Sequence, residues 1–441
     1  MFRRAIAITG CLTLTLAGAV AAQDEAAAVT VDTLCGEAAL EPMTAEVTLD
    51  AEQATALDGV LRAAVTVVED PDLLANLPGV QPAPGAVLSV ETPDGRYFRS
   101  IGVADVESCT PLEPTAPFAI GSHTKMFVAA VIYQLQEEGL LSTSDLVRDY
   151  LPDEIALFPR QADATIHHLL THTSGLPDWE RSDNPEALGP RIYSGDPEAL
   201  SMAVTPGELI AMTAELKDDE GQPTFSPGDQ GPFDWSYANI GFNMLGLIIE
   251  QVTGQPWDEA VEERILEPLG MEDTVLVEGV AGPELGLPSG YLGAPFAEAA
   301  DWNYSQGGAA GNGVSTVDDM ATFVQAYYSG ELFDDPQTLE AALTPAAPWA
   351  LQFIDGYQYL SPGFDKHGFK GHGGGTPGFL SDAAYNPDLD STIVMWVNSE
   401  EGISEGVIAA GSALGLTPSM ADTGELIEQK ALEALEQQAA E

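Results

Sequence analysis

Predicted strands lie near both ends of the chain, and helical patterns fill the long section between them. Runs rich in β-branched and aromatic residues flank a turn at 92–95, which indicates a hairpin. The predicted strands cover 86–91, 96–103, 368–371, 380–385 and 392–397. Strands so distant in sequence can share one sheet only when the section between them is an insertion. The sequence therefore predicts an α+β fold: an antiparallel sheet flanked by N- and C-terminal helices, with a mostly helical insertion at about 145–345.

Residues 1–22 have the composition of a secretory signal peptide. Arg3 and Arg4 precede an apolar run that ends at small residues near Ala21, the usual form of a cleavage site. A lipid-anchor box at Cys11 is the weaker alternative, because the apolar run continues well past that cysteine. We therefore expect a periplasmic or secreted protein. No later stretch has the length and apolar character to span a bilayer, so no stable membrane anchor is predicted.

The cysteines suggest how the first part of the mature chain is held. The chain divides into a signal peptide at 1–22, an N-terminal extension at 23–50, a main domain at 51–416 and a C-terminal helical tail at 417–441. Loss of the signal peptide would leave two of the three cysteines, Cys35 and Cys109. In an exported protein these two predict a structural disulfide. Two buried free thiols are the alternative.

Acidic residues dominate the chain, with 69 Asp and Glu against 15 Lys and Arg and a net charge of −54. Such a charge disfavours nucleic acid and anionic membrane surfaces as partners. Removal of Arg3 and Arg4 with the signal peptide would make the charge more negative still. The composition is typical of a protein that works in saline surroundings, although solubility alone would also account for it.

Ser122 and Lys125 are three residues apart at the start of an apolar helical run at 126–135. This spacing puts a hydroxyl and an amine on one face of a helix. A serine becomes an effective nucleophile when a neighbouring base takes its proton, and a lysine can be that base where apolar surroundings disfavour its charged form. Unpaired N–H groups in the first helical turn would help to stabilise an oxyanion. By itself, the spacing is also typical of a helix cap followed by a solvated lysine.

Two further segments carry groups suited to the same chemistry. Tyr237 and Asn239 are two residues apart just before an apolar helical run at 240–252, so a phenol and an amide would face the same side. Residues 370–376 predict a strand that ends in a glycine run, where a ligand can approach the backbone closely. Each segment also has a simpler explanation, a packed tyrosine ring in the first and a bent edge strand in the second.

Taken in this order, the three segments resemble the penicillin-recognising serine hydrolases. This family includes class C β-lactamases, D-Ala-D-Ala carboxypeptidases, D-aminopeptidases and related carboxylesterases. The resemblance covers about 57–416 and includes non-catalytic runs at 166–177 and 313–319. It implies a β-lactamase/transpeptidase-like fold and a reaction without a cofactor.

The resemblance also implies a role for each side chain. Ser122 would be the nucleophile, Lys125 and Tyr237 would share the role of base, and Asn239 would bind the substrate amide. The backbone N–H groups of Ser122 and Gly375 would form the oxyanion hole. Which member of the lysine–tyrosine pair holds the proton stays open, because two such close groups titrate together.

The third segment departs from the pattern of the family. Where relatives often have Lys-Thr-Gly or His-Thr-Gly, this chain has His372, Gly373 and Gly374, so the hydroxyl that commonly contacts a substrate carboxylate is missing. Lys370 would face the same side of the strand as His372. Together with Lys366, it could supply compensating positive charge. We expect these residues of the third segment to bind substrate, with recognition of a free carboxylate in doubt.

Two other motifs in the chain are typical of different hydrolases or of metal sites. Ser404 lies in a Gly-x-Ser-x-Gly sequence, but the α/β-hydrolase fold needs a histidine after that serine, and His372 is the last histidine. His168 and His172 have the spacing of a zinc pair without a third ligand motif, so packing and loop bracing are preferred and no metal is predicted. His123 is expected at the margin of the cleft.

The sequence therefore predicts an exported serine hydrolase that forms an acyl-enzyme, acting on D-amino-acid peptides or related amides. Carboxylesterase and β-lactamase activity are alternatives within the same mechanism. A penicillin sensor or pseudoenzyme that is acylated without turnover is an alternative of another class. The expected partner is a small-molecule or peptide substrate.

Overall fold

A computed structural model of the chain describes residues 30–66, 82–181, 184–216, 235–292, 297–299, 302–344, 357–400 and 406–417. The predicted signal peptide, the C-terminal tail from residue 418 onward and Ser404 lie outside these residues. Within the described ranges, no helix combines the length and the apolar composition that crossing a bilayer requires.

The strands of the main sheet lie near both ends of the chain and most helices lie between them, as the sequence patterns predict. The strands are β1 (Met43–Val47), β2 (Gly85–Thr92), β3 (Gly95–Asp105), β4 (Thr110–Pro111), β5 (Phe118–Ala119), β6 (Val275–Leu276), β7 (Tyr291–Leu292), β8 (Ala297–Glu298), β9 (Gly313–Ser315), β10 (Tyr357–Leu360), β11 (Gly363–Lys366), β12 (Phe369–Thr376), β13 (Phe379–Asn386) and β14 (Ser391–Val397). The helices are α1 (Val31–Cys35), α2 (Ala51–Val65), α3 (Thr124–Glu137), α4 (Pro152–Ile155), α5 (Ile166–Leu170), α6 (Leu188–Tyr193), α7 (Pro197–Leu200), α8 (Pro206–Ala214), α9 (Asn239–Thr253), α10 (Trp257–Val261), α11 (Glu267–Leu269), α12 (Val317–Ser329), α13 (Pro336–Ala342) and α14 (Gly406–Ala413).

The main sheet joins the two ends of the chain. In the described residues it has nine strands, ordered β1-β3-β2-β14-β13-β12-β11-β10 with β4 on the outer side of β3. All neighbouring strands are antiparallel. The join is the pairing of β2 with β14, in which Val87 lies opposite Trp396. The predicted α+β fold, with one antiparallel sheet assembled from distant sequence, is confirmed.

Both faces of the central strands are buried, because the sheet lies between two helical layers. Along β14, Ile393, Met395 and Val397 belong to a core with α2 and α14. The alternate residues Val394 and Trp396 belong to a second core with the helical section of the chain. Successive side chains of a strand point to opposite faces, so a continuous apolar run such as this one is required where both faces are covered.

Strand β12 contains the glycine run in which the sequence predicted that a strand ends. Consecutive glycines weaken a strand. The strand nevertheless extends to Thr376, with Gly373 opposite Asp382 and Gly375 opposite Leu380 on β13. Pairing with β13 therefore stabilises the glycine run of β12, which has no side chains to do so.

The N-terminal extension is fixed to the sheet in two ways. Strand β1 pairs with the edge of β3. A disulfide joins Cys35, at the end of α1, to Cys109, in the turn before β4. Together these contacts hold the extension close to the hairpin that follows it.

Candidate active site

Ser122 lies where the chain passes from the short strand β5 into the buried helix α3. Residues Gly121–His123 form a single 3-10 turn, and the α-helix begins at Thr124. The sequence had predicted that Ser122 lies in the first turn of the α-helix. The structure instead places it in the 3-10 turn that precedes the α-helix. Gly121 has φ +50, and a Cβ there would lie 2.6 Å from the carbonyl oxygen of Gly375. This close backbone contact brings the serine segment against β12.

Lys125 is held beside Ser122 by the expected spacing. Its ammonium donates a hydrogen bond to Ser122 Oγ at 2.9 Å and another to the carbonyl oxygen of Ala310 at 2.6 Å. The lysine is 0% exposed. Its Nζ lies 5.0 Å from the centre of the Tyr237 ring and 5.8 Å from that of Phe242. The two rings and the carbonyl oxygen of Ala310 are thus among the groups that surround the amine in place of water.

Tyr237 completes the group around the serine oxygen. Its hydroxyl donates to Ser122 Oγ at 2.8 Å. The tyrosine is positioned by His172, whose ring centre lies 4.1 Å from that of the phenol and whose Nδ1 accepts from the N–H of Ala238 at 3.2 Å. The Ser236 N–H donates to the His172 carbonyl oxygen as well. His172 is therefore a positioning residue, which extends the loop-bracing role that the sequence suggested.

Asn239 begins helix α9 and faces the same pocket as Ser122. Its side-chain amide donates to Glu180 Oε2 at 2.8 Å and approaches Asp178 Oδ1 at 3.3 Å. The two carboxylates come directly after residues 166–177, the run that the sequence analysis interpreted as non-catalytic. Nothing in their local sequence distinguished them from ordinary surface acids, and they were missed as members of the site.

The glycines of β12 differ in how much space surrounds them. A Cβ on Gly374 would lie 2.1 Å from the carbonyl oxygen of Ile120, so only glycine fits there. Gly375 and Thr376 line the pocket together with Ser122. Gly373 has open space by comparison, since a Cβ there would lie 3.7 Å from its nearest neighbour, the carbonyl oxygen of Ser381.

The Beta-lactamase family model matches residues 72–415 of this chain. The chain belongs to this family. Penicillin-binding protein 4* of Bacillus subtilis (strain 168) is 29% identical over 335 residues, which cover 72% of this chain and 68% of that protein. Esterase EstB of Burkholderia gladioli is 32% identical over 202 residues, which cover 43% of this chain and 45% of the esterase.

Solved structures of the β-lactamase family agree with this assignment. A D-stereospecific amidohydrolase from Streptomyces sp. has a TM-score of 0.68 and 27% identity, with 83% of this chain and 99% of that chain covered. D-amino acid amidase from Ochrobactrum anthropi SV3, at 22% identity and a TM-score of 0.60, covers 88% of this chain and 100% of its own and is similar in fold. Like the amidohydrolases and esterases of its family, the chain is a serine hydrolase.

A buried pair of histidines lies behind the β-lactamase-type site. His123 and His372 have ring centres 6.1 Å apart, and His123 is fully buried. The expectation that His123 lies at the cleft margin is wrong, because the 3-10 turn directs its ring against Gly374. Burial, reinforced by the charge of Lys125, lowers the pKa of His372 to about 3. Burial also lowers the pKa of His123, so both rings are neutral near pH 7.

The lysines of the third segment do not supply the free positive charge that the sequence suggested. Lys366 lies 3.1 Å from both carboxylate oxygens of Asp382 and is buried with it. The Lys370 ammonium lies 3.4 Å from Asp365 Oδ2. Both acids are contributed by β11 and β13, the strands on either side of β12. Each lysine is thus neutralised within the sheet.

The two histidines that have the spacing of a zinc pair, His168 and His172, each contact other groups. His168 Nδ1 accepts from the N–H of Thr165, which caps helix α5, and His172 supports the tyrosine loop. Among the residues described, no group of three or more His, Cys, Asp or Glu could hold a metal ion.

Proposed function

We propose that the chain is an exported serine hydrolase that works through an acyl-enzyme formed on Ser122, acting on D-amino-acid amides or short D-peptides. One observation carries the proposal: Ser122 Oγ lies 2.9 Å from the Lys125 amine and 2.8 Å from the Tyr237 hydroxyl. A serine oxygen within hydrogen-bond reach of two groups that can exchange protons is the arrangement that nucleophilic catalysis requires.

Acylation begins when Ser122 Oγ attacks the substrate carbonyl carbon. Its proton passes to the Lys125–Tyr237 pair, of which one member must first be unprotonated. The carbonyl oxygen becomes an oxyanion between the backbone N–H groups of Ser122 and Gly375. The C–N or C–O bond then breaks, and Tyr237 returns the proton to the leaving nitrogen or oxygen.

Deacylation reverses these roles with water. Tyr237 takes a proton from the water molecule while the water oxygen attacks the acyl carbon. The bond between that carbon and Ser122 Oγ then breaks. The proton returns to the serine, and the acid is released. Asn239, which lines the same pocket as Ser122, would orient the amide of the substrate.

The choice of D-amino-acid amides is supported by the solved relatives whose names describe D-stereospecific amide hydrolysis. Ester hydrolysis is the second candidate, favoured by the similarity to esterase EstB and by Gly373, which lacks the hydroxyl expected to bind a carboxylate. Export is supported by the sequence of residues 1–22 and by the Cys35–Cys109 disulfide, a bond typical of oxidising compartments.

A substrate panel tests the proposal. We expect purified protein to hydrolyse D-amino-acid amides faster than a chromogenic cephalosporin, and Ser122→Ala to abolish every hydrolytic activity. Ser194→Ala removes a hydroxyl from an exposed position and serves as the matched control. Amide hydrolysis that survives in Ser122→Ala would contradict the mechanism. Rapid turnover of esters alone would favour the carboxylesterase alternative, and stable acylation without turnover would favour the sensor.

A further inference from the structure

We infer that the site selects substrates with a positive charge close to the scissile bond, such as the free ammonium of a D-amino-acid amide, over substrates that end in a free carboxylate. The inference rests on the proposed function, because it assigns the charge of the group that Ser122 would acylate. It is carried by the polar groups of the pocket and by the location of the nearby lysines.

The first observation is an acidic wall next to the nucleophile. Glu180 lines the same pocket as Ser122, and Asp178 lies beside it. Both carboxylates accept from the Asn239 amide nitrogen, at 2.8 Å and 3.3 Å. With its nitrogen directed at these acids, Asn239 presents its remaining polar atom, the acceptor Oδ1, to a substrate. This side of the pocket is therefore rich in acceptors and suited to a substrate that brings N–H donors.

The second observation is a buried hydroxyl that also lines the pocket. Thr376 is 3% exposed and lines the pocket, and its Oγ1 has no hydrogen-bond partner among the described residues. A buried hydroxyl without a partner is costly, so a polar group of a bound ligand is expected to pair with it. Because the threonine is neutral, it can pair with a polar group of the substrate without adding a charge to the pocket.

The third observation concerns the lysines that could have held a carboxylate. Lys366 is bound to Asp382 and Lys370 is close to Asp365, so each charge is already balanced inside the sheet. Neither lysine is among the residues that line the pocket. A substrate carboxylate would thus face the carboxylate of Glu180 without help from Lys366 or Lys370, whereas a substrate ammonium would be attracted to Glu180.

The aromatic residues of the pocket fit the same class of substrate. Trp179 and Trp302 line it together with Glu180. Their rings offer apolar surface for the side chain of an amino-acid amide, and the faces of tryptophan rings attract cations.

The test compares D-phenylalanine amide, which carries an ammonium at neutral pH, with its N-acetyl derivative, which is neutral. The measured quantity is the ratio of kcat/KM for the two. We expect the wild-type ratio to exceed about ten and to fall about ten- to hundredfold in Glu180→Gln, the change expected for loss of one charge-assisted hydrogen bond. Asp178→Asn should lower it in the same direction. Glu340→Gln removes an equal charge from an exposed position of α13 and should leave the ratio unchanged.

A ratio near one in the wild-type protein would overturn the inference, as would a ratio that neither Glu180→Gln nor Asp178→Asn lowers. If the variants do not fold, the wild-type ratio can be followed across the titration of the substrate ammonium near pH 8, where it should collapse. Hydrolysis of p-nitrophenyl acetate distinguishes a failure of this inference from a failure of the proposed function. If wild type hydrolyses this ester in a Ser122-dependent way but shows no preference for an ammonium, the inference fails and the proposed function stands.

Discussion

The hydroxyl of Tyr237 lies 2.8 Å from Ser122 Oγ, although 115 positions separate the two residues in the sequence. The contact is made because His172 supports the tyrosine loop, through ring contact with Tyr237 and hydrogen bonds from the N–H groups of Ser236 and Ala238. Two groups that can accept a proton, the phenol and the buried amine of Lys125, thus flank one serine oxygen.

Tyr237→Phe removes the hydroxyl and keeps the ring that packs on His172. Because the hydroxyl transfers protons in both halves of the proposed reaction, kcat should fall by about 10²–10⁴-fold. Lys125→Met should cause a comparable loss while its side chain still fills a buried space. Steady-state kinetics with an amide and an ester would check both variants, with thermal unfolding as the control for folding. A variant that retains wild-type kcat would show that its residue is not part of the proton path.

Gly373→Thr should restore the hydroxyl that relatives often have at this position. The backbone there accepts a Cβ, and residue 373 faces the same side of β12 as Gly375, which lines the pocket. One added neutral hydrogen bond predicts a gain of about five- to tenfold in kcat/KM for peptides that end in a free D-Ala carboxylate. Gly374→Ala is the steric control, since its Cβ would lie 2.1 Å from Ile120 O. No gain in a folded Gly373→Thr would mean that this position does not contact the substrate.

Protonation of His372 should make the protein less stable in acid. The unfolded chain binds this proton near pH 6.5, whereas burial lowers the pKa in the folded protein to about 3. Between these values the unfolded state binds more protons, so the free energy of unfolding should fall as the pH falls from 6.5 to about 3. The slope approaches about 1.4 kcal/mol per pH unit for one such group.

His372→Gln should make that dependence shallower by removing one titrating group. Denaturant unfolding at several pH values would measure the difference between wild type and variant, in which the titration of the many carboxylates largely cancels. Identical slopes for the two proteins would contradict the prediction. His123, whose pKa is also lowered by burial, should leave part of the dependence in the variant.

The Cys35–Cys109 disulfide should contribute measurably to stability. It joins residues 74 positions apart, and in the chain-entropy model a loop of that length corresponds to about 4 kcal/mol. The double variant Cys35→Ser, Cys109→Ser should therefore unfold at lower denaturant concentration than the oxidised wild type. Wild type unfolded with a reductant should behave like the variant. Equal midpoints for the oxidised wild type and the variant would show that the bond does not constrain the unfolded chain.

Contacts between residues that are close in the sequence could be predicted. Lys125 follows Ser122 by three residues, and a helical turn is enough to bring the two side chains together. The apolar run of β14 could likewise be identified, because a strand covered on both faces needs no alternation. The resemblance to a known family supplied the link between Ser122 and Tyr237, which no local pattern provides.

Contacts between distant segments could not be predicted. Asp178 and Asn239 are 61 residues apart, and only the packing of the loop after α5 against α9 brings them together. Lys370 was expected to face a substrate, but its partner Asp365 lies opposite it in the β11–β12 register, which the sequence does not reveal.

Identification of the acylated residue tests the proposed acyl-enzyme mechanism most directly. The protein is mixed with a fluorophosphonate or a slowly released β-lactam, and the adduct is mapped by peptide mass spectrometry. We predict one adduct per chain, on the peptide that contains Ser122, with none in Lys125→Met or Ser122→Ala. An adduct on the peptide that contains Ser404, or adducts that persist in Ser122→Ala, would contradict it.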